Sequence, residues 1–225
     1  MADFSLYEIN PAFSDEPRGV RDMLPQFRQA EDGTTGAMFQ YQSPNVDVIG
    51  WLIERVTGEP LVDFIRNNIW VPLGAEHDGV FTTDVSFAPI ATGGFNSTLR
   101  DAARFGLMAL NDGCLGQTQI APETWIKDTY ALSDEDFAAG AASVNADAGH
   151  ERFIDGFNGY RSFWWQFDAS EGERVAMGVH GQVIYVNRAK NLVIANFASP
   201  QTTANQLRPT FKQMLAGTRA LAASF

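Results

Sequence analysis

The stretch from Ser43 to Gly58 leaves the chain little choice of local structure. Ser43 is a helix N-cap residue whose hydroxyl can take an orphan backbone N–H, and Pro44 suits the first helical position because its missing donor is not needed there. Gly58 supplies the left-handed stop at the other end. Between them Val46, Ile49, Ile53 and Val56 recur at helical spacing, and Trp51 and Leu52 broaden the apolar face. The sequence therefore predicts a buried helix with Tyr41 at its mouth. Taken alone, a tyrosine before a helix is an amphipathic plug, its ring packed and its hydroxyl on water or a carbonyl.

Length and charge narrow what such a helix can belong to. A chain of 225 residues, 45% of them hydrophobic, can build one sizeable core and remove about 70% of its unfolded surface from water. With 16 Lys+Arg against 27 Asp+Glu the formal charge is −11, which repels phosphate backbones and anionic membranes and disfavours nucleic acid as a partner. Cys114 is the only cysteine, so no intrachain disulfide forms; its neighbours Asp112-Gly113 and Leu115-Gly116 read as a turn, and the residue as structural. No run reaches the roughly 18 apolar residues of a membrane span, and Met1-Ala2-Asp3-Phe4 lacks the blocks of a secretory signal. The expectation is a soluble, cytoplasmic protein, with the reservation that a lost N-terminus would take any signal with it.

Before Gly36 the chain is polar and interrupted by prolines, an irregular lead-in with one short helix near Val20 to Gln29. After Gly58, Pro60 to Asn68 reads as a helix and Trp70 to Asp78 as a turn. Leu99 to Leu110 carries a helical stripe, Ala121 to Tyr130 begins with Pro122-Glu123 in a first turn, and the acidic, alanine-rich segment from Ser133 to His150 reads as a surface insertion. Phe157 to Phe167 reads as one aromatic strand, followed by strands at Val175 to Val179, Val183 to Val186 and Leu192 to Phe197. Pro200 to Ala222 closes as a helix with Leu207, Phe211, Met214 and Leu215 inward; Pro209 is tolerated there only in a first turn or at a kink. Antiparallel strands in a row with helices before and after predict an α+β fold in a single domain: lead-in to 36, mainly helical lobe over 37–150, strands and closing helix over 151–225.

The run Tyr41-Gln42-Ser43, followed by a helix ending Ile53-Glu54-Arg55-Val56-Thr57-Gly58-Glu59-Pro60-Leu61, resembles the second motif of the serine β-lactamase and penicillin-binding-protein superfamily. The likeness is to its class C, esterase and 6-aminohexanoate-dimer hydrolase branch. Pro72-Leu73-Gly74 resembles the family's connector, Asp101-Ala102-Ala103-Arg104-Phe105-Gly106 its helix after a glycine pair, and Phe157 to Phe167 its Tyr-Gly-x-x-Trp-Trp strand. The resemblance implies a β-lactamase/transpeptidase-like fold, an antiparallel sheet flanked by helices with a helical lobe. It also implies that Tyr41 helps move a nucleophile's proton. Ser43 stands where class C members carry asparagine, which shortens that side chain.

His180-Gly181-Gln182 resembles the family's third motif, on a strand lining the cleft. Glycines there admit a substrate, backbone amides can serve an oxyanion hole, and His180 can present a hydrogen bond or charge near Tyr41. Its alternative is a satisfied structural histidine between strands. The resemblance also marks Asn96, otherwise a turn residue, as substrate-facing, and the aromatic cluster Phe163, Trp164 and Trp165, otherwise core, can line an apolar pocket with Trp164 on the substrate.

The first motif, Ser-x-x-Lys, is missing: the lysines Lys127, Lys190 and Lys212 follow Thr124, Asn187 and Pro209 at that spacing. Only Thr124-Trp125-Ile126-Lys127 has a hydroxyl, and it lies downstream of Tyr41, with a tryptophan that suits a packed helix. His77, His150 and His180 show no metal-ligand spacing, and no phosphate-binding loop occurs, so no cofactor or metal is expected.

The sequence thus predicts the C-terminal portion of a serine hydrolase acting on a small amide or ester, with Tyr41 and His180 catalytic and Ser43, Asn96, Gly181, Gln182 and Trp164 on the substrate. A non-catalytic binder on the same fold and half of a split enzyme are the alternatives. Uncovered apolar faces predict self-association or a complementing N-terminal fragment.

Overall fold

A computed structural model of the chain describes residues 18–26, 43–131, 159–199 and 208–225. Tyr41, the Ser133 to His150 insertion and Leu207 lie outside the described residues, as do the side chain of Phe211 and most of the lead-in. The chain divides into two compact units, Met1–Thr98 and Leu99–Phe225.

In the first unit a short helix α1 (Val20–Met23) runs into a 3-10 turn, Leu24–Gln26, and packs Val20 and Met23 on Ile90. The next helix, α2 (Pro44–Thr57), ends on Gly58 at φ 72°, as its sequence requires. Leu61–Ile65 forms α3 and continues as a wider turn over Arg66–Trp70. Glu54 joins three of these pieces: its Oε1 accepts the Leu61 N–H at the start of α3 (3.1 Å) and its Oε2 pairs with Arg21 of α1. Val80–Phe81 (β1) and Phe95–Asn96 (β2) pair antiparallel, and Phe95 packs edge-on against Trp70 at 4.9 Å.

The side of α2 that is buried differs from the expectation. Pro44, Asp47 and Gly50 face the interior, whereas Val48, Ile49, Trp51, Leu52 and Val56 are between 36% and 76% exposed. The reason is polar and steric. Asp47 takes two backbone donors from the loop at Ala91 and Thr92, and a β-carbon at Gly50 would lie 2.9 Å from Leu61, so helix and loop close on a carboxylate and a glycine.

The second unit is layered. Its sheet is a five-stranded antiparallel meander of β5 (Gly159–Arg161), β6 (Trp164–Gln166), β7 (Glu173–Gly178), β8 (Gln182–Asn187) and β9 (Leu192–Asn196), in that order. Helix α4 (Leu99–Leu110) covers one face, where Phe105, Ala109 and Leu110 meet Trp164, Ile184, Val186 and Val193. On the other face α6 (Arg208–Ala222) sends Arg219 onto Glu173 through two bonds of 2.7 and 3.0 Å. Pro209 falls in the first turn of α6, where its missing N–H costs nothing. A hairpin, β3 (Cys114–Leu115) with β4 (Thr118–Gln119), and a short helix α5 (Glu123–Asp128) complete the unit.

The expected single strand over Phe157 to Phe167 is instead a hairpin. Ser162 (φ 49°) and Phe163 (φ 67°) both adopt the left-handed conformation, which makes a two-residue turn whose twist suits antiparallel strands. Gly106 sets the distance of α4 from the sheet, because a β-carbon there would lie 2.6 Å from Val193 and 2.9 Å from Ile184. Gly106→Val is expected to cost about 3 kcal/mol by overpacking; Gly106→Ala should cost about 1 kcal/mol, since helix propensity offsets part of the clash. Urea unfolding midpoints of the two variants test this, and a neutral Gly106→Val would refute the close approach.

Candidate functional site

The turn between β7 and β8 carries the histidine singled out in the sequence. Val179-His180-Gly181 forms the tip, closed by the pair Gly178 and Gln182. His180 stands at φ 60° and Gly181 at φ 83°. A side chain held in that region costs about 1 kcal/mol, and the imidazole it carries is exposed at the tip.

The turn is braced from behind. Gln182 Nε2 donates to the Ala198 carbonyl at 2.6 Å, and Asn196 Nδ2 donates to the Gly181 carbonyl at 3.2 Å. A β-carbon on Gly181 would lie 3.1 Å from Ala198 and 3.2 Å from Met214 Sδ, so glycine is needed for space as well as for φ. Gln182, expected on the substrate, thus spends its amide N–H on the backbone beyond β9. In this structure it positions the tip.

Beside the tip the sheet offers an edge. β6 pairs with β7 at Trp165–Val175 and Gln166–Arg174, whereas β8 pairs with β7 as far as Gly178. Among the described residues no strand therefore lies against the outer side of Met177 and Gly178. Backbone groups on such an edge can bond an extended amide or a developing oxyanion.

Trp164, expected on the substrate, lies in the core. Its ring stacks on Phe105 (6.4 Å between centroids, 3° between planes) and lies 4.3 Å from the Arg174 guanidinium carbon. The strand alternation puts it under α4, and its neighbour Phe163 is the exposed aromatic, on the turn at the same end of the sheet as His180. No residue pattern announced that exchange, because the turn at Ser162-Phe163 lacks the asparagine or glycine that marks such turns.

In the first unit Ser43 does occupy the N-cap position of α2, but its backbone is helical (φ −52°, ψ −42°) and its side chain makes no capping bond; the carbonyl accepts the Val46 N–H instead. Side-chain capping needs an extended backbone at that residue. Asn96 is exposed on β2, with Nδ2 donating to Gly94 O at 2.8 Å and to Val80 O at 3.3 Å, which ties the residue to its own hairpin. Thr124-Trp125-Ile126-Lys127 lies on α5 with Trp125 exposed rather than packed, and Lys127 pairs with Glu123, which raises its pKa.

Two buried charged residues escaped the sequence reading because their hydrogen-bond partners are 44 or more residues away. Asp47 accepts N–H bonds from Ala91 (2.8 Å) and Thr92 (3.1 Å) on Oδ1, while Oδ2 is buried without a partner beside a water-sized space lined by Arg21, Gly50 and Leu61. Burial pushes its pKa up to about 6. Arg174 is wholly buried between the rings of Tyr130 and Trp164. Among the described residues no group of three or more His, Cys, Asp or Glu could hold a metal, and no helix is long and apolar enough to cross a membrane.

The β-lactamase family profile matches residues 7–216. The chain belongs to the β-lactamase family. Relatives sort this family chain further: it is 32% identical over 185 residues to the 6-aminohexanoate-dimer hydrolase of Paenarthrobacter ureafaciens, covering 82% of this chain and 44% of that protein. A solved 6-aminohexanoate-dimer hydrolase candidate from Bacillus anthracis superposes with a TM-score of 0.74 at 25% identity, over 93% of this chain and 50% of its own. A penicillin-binding protein from Bacillus halodurans (TM-score 0.58, 17% identity, 91% and 63% covered) shares the fold. This β-lactamase family chain thus spans about half the length of the hydrolases it matches. The α+β architecture expected from the sequence is the family's.

Proposed function

We propose that this β-lactamase family chain carries the proton-handling and substrate-flanking half of a serine-type hydrolase for linear amides or esters, and that the attacking serine and its lysine are supplied from outside these 225 residues. The observation that carries the reading is the His180-Gly181 turn, braced by hydrogen bonds from Gln182 and Asn196, beside a strand edge that no strand among the described residues covers, in a chain similar over 82% of its length to a 6-aminohexanoate-dimer hydrolase. In the reaction, the incoming serine attacks the carbonyl carbon while its hydroxyl proton passes toward Tyr41. The phenol titrates near 10 in water, so it accepts a proton at neutral pH only beside a cation, the role left to the supplied lysine. The backbone at Gly178 and Gly181 and the His180 ring flank the acyl group as its oxygen becomes negative.

Two results follow. The purified chain alone is expected to show no turnover of a chromogenic short-chain ester above that of a Tyr41→Phe control; a Tyr41-dependent burst would overturn the division of labour. Completed by a Ser-x-x-Lys segment, turnover is expected, and Tyr41→Phe should lower kcat by about 100-fold or more, the usual weight of a positioned proton-transfer group.

A further inference from the structure

Helix α6 packs on the His180-Gly181 turn, and a thioether sulfur stands at the junction. Met214 Sδ accepts a hydrogen bond from Asn196 Nδ2 at 3.1 Å, and the same nitrogen donates to the Gly181 carbonyl at 3.2 Å. One amide at the end of β9 therefore holds both the turn and the helix. The fit is close: Gly181 is buried, and a β-carbon on it would lie 3.2 Å from Met214 Sδ and 3.7 Å from its Cε.

A thioether is a weak acceptor and a ready target for oxidants, provided that they reach it. Met23 and Met108 are 5% and 4% exposed, which shields them, whereas Met214 on α6 and Met177 on β7 are partly open to solvent. Of these two, Met214 is the one whose sulfur belongs to the brace of the turn.

We infer that Met214 is an oxidation-sensitive modification site, and that its conversion to the sulfoxide releases the His180-Gly181 turn. A hydroperoxide delivers one oxygen atom to a lone pair of Sδ; the O–O bond breaks, an S–O bond forms, and with hydrogen peroxide water is the product left behind. The sulfur is oxidised and the peroxide reduced. Directed at Asn196, the new oxygen does not fit within the 3.1 Å contact unless Nδ2 moves away. Directed at Gly181, it enters space in which even a β-carbon is crowded. Left facing water, it still competes for the Nδ2 hydrogens as a stronger acceptor than the thioether. Each course weakens the bond to the Gly181 carbonyl, and methionine sulfoxide reductases reverse the change. That the turn flanks substrate rests on the function proposed above, but the modification and its effect on the turn do not.

The test is treatment of the full chain with dilute hydrogen peroxide, followed by mass mapping of every methionine and hydrogen exchange of the peptide from Gly178 to Val183. Met214 is expected to gain one oxygen and the peptide to exchange about tenfold faster, the weight of one lost hydrogen bond. The reductases for both sulfoxide epimers should restore slow exchange. Met214→Leu is expected to abolish the peroxide response and Met177→Leu to keep it. An unoxidised Met214, unchanged exchange after its oxidation, or a response that persists in Met214→Leu would each overturn the switch. A full exchange response in a chain that hydrolyses no ester even when completed by a Ser-x-x-Lys segment would keep the switch and remove the functional reading.

Discussion

Arg174→Ala is expected to lower stability by about 4 kcal/mol, the largest effect of any single substitution proposed for this chain. The side chain is wholly buried, and among the described residues its bonds go to a hydroxyl and a backbone carbonyl rather than to a carboxylate. Its guanidinium carbon lies 3.7 Å from the centre of the Tyr130 ring and 4.3 Å from that of Trp164. One terminal nitrogen donates to Thr129 Oγ1, the other to the Ala109 carbonyl at 3.2 Å, and Nε has no partner. Burial lowers its pKa to about 10, so the group remains charged at neutral pH. Alanine would leave a cavity between two aromatic rings and free the Ala109 carbonyl, a large transfer cost added to a polar one. Methionine fills the space and removes the charge, so Arg174→Met should cost less than half as much. Urea unfolding followed by tryptophan fluorescence compares the two. An alanine variant within 1 kcal/mol of wild type would refute the packing account, and a methionine variant as damaging as alanine would show that the cation, not the volume, holds the layer.

The second large effect is expected at Asp47 and depends on pH. Its carboxyl is raised from 3.8 to about 6 by burial, with Asp84 adding to the rise and the two backbone N–H donors opposing it. Arg21 lines the same small space but pairs with Glu54. Because the folded value lies above the unfolded one, the proton is held more tightly in the folded chain. The stabilisation is therefore full below pH about 4 and is lost as pH rises through about 6. That gap corresponds to about 3 kcal/mol. Asp47→Asn keeps an acceptor for Ala91 and Thr92 without a charge, so it should flatten the pH dependence and raise stability at pH 7 by about 1 kcal/mol. Asp47→Ala strands both donors and should lose about 2 kcal/mol at pH 4.5. Unfolding midpoints at pH 4.5 and 7.5 decide the matter: an asparagine variant that keeps the wild-type slope would mean that another group titrates.

Much of the fold is legible because it is local. Pro44 and Gly58 bound α2 by their own backbone preferences, and the bounds hold. Leu99–Leu110 is a helix as its stripe indicates, and β7, β8 and β9 fall within a residue or two of their apolar runs. The His180-Gly181 turn is equally readable, since glycine between two such runs leaves few alternatives. Ser43 was half legible: its position at the helix mouth came from sequence, but whether its hydroxyl caps depends on a backbone angle set by what precedes it.

By itself, then, the sequence determined where elements begin and end and the antiparallel order of the strands, which follow from spacing along the chain; the β-lactamase family was legible only through the resemblance of its motifs. Only the tertiary structure decided which side of α2 faces inward, because Asp47 is drawn in by amides 44 and 45 residues away, an attraction no helical period records. Only it could bury Arg174, whose partners come from the end of α4, from Thr129 and Tyr130 just after α5, and from β6. Hydrophobic period sets what a segment can be. Long-range hydrogen bonds and close backbone approach select which of its faces the protein uses.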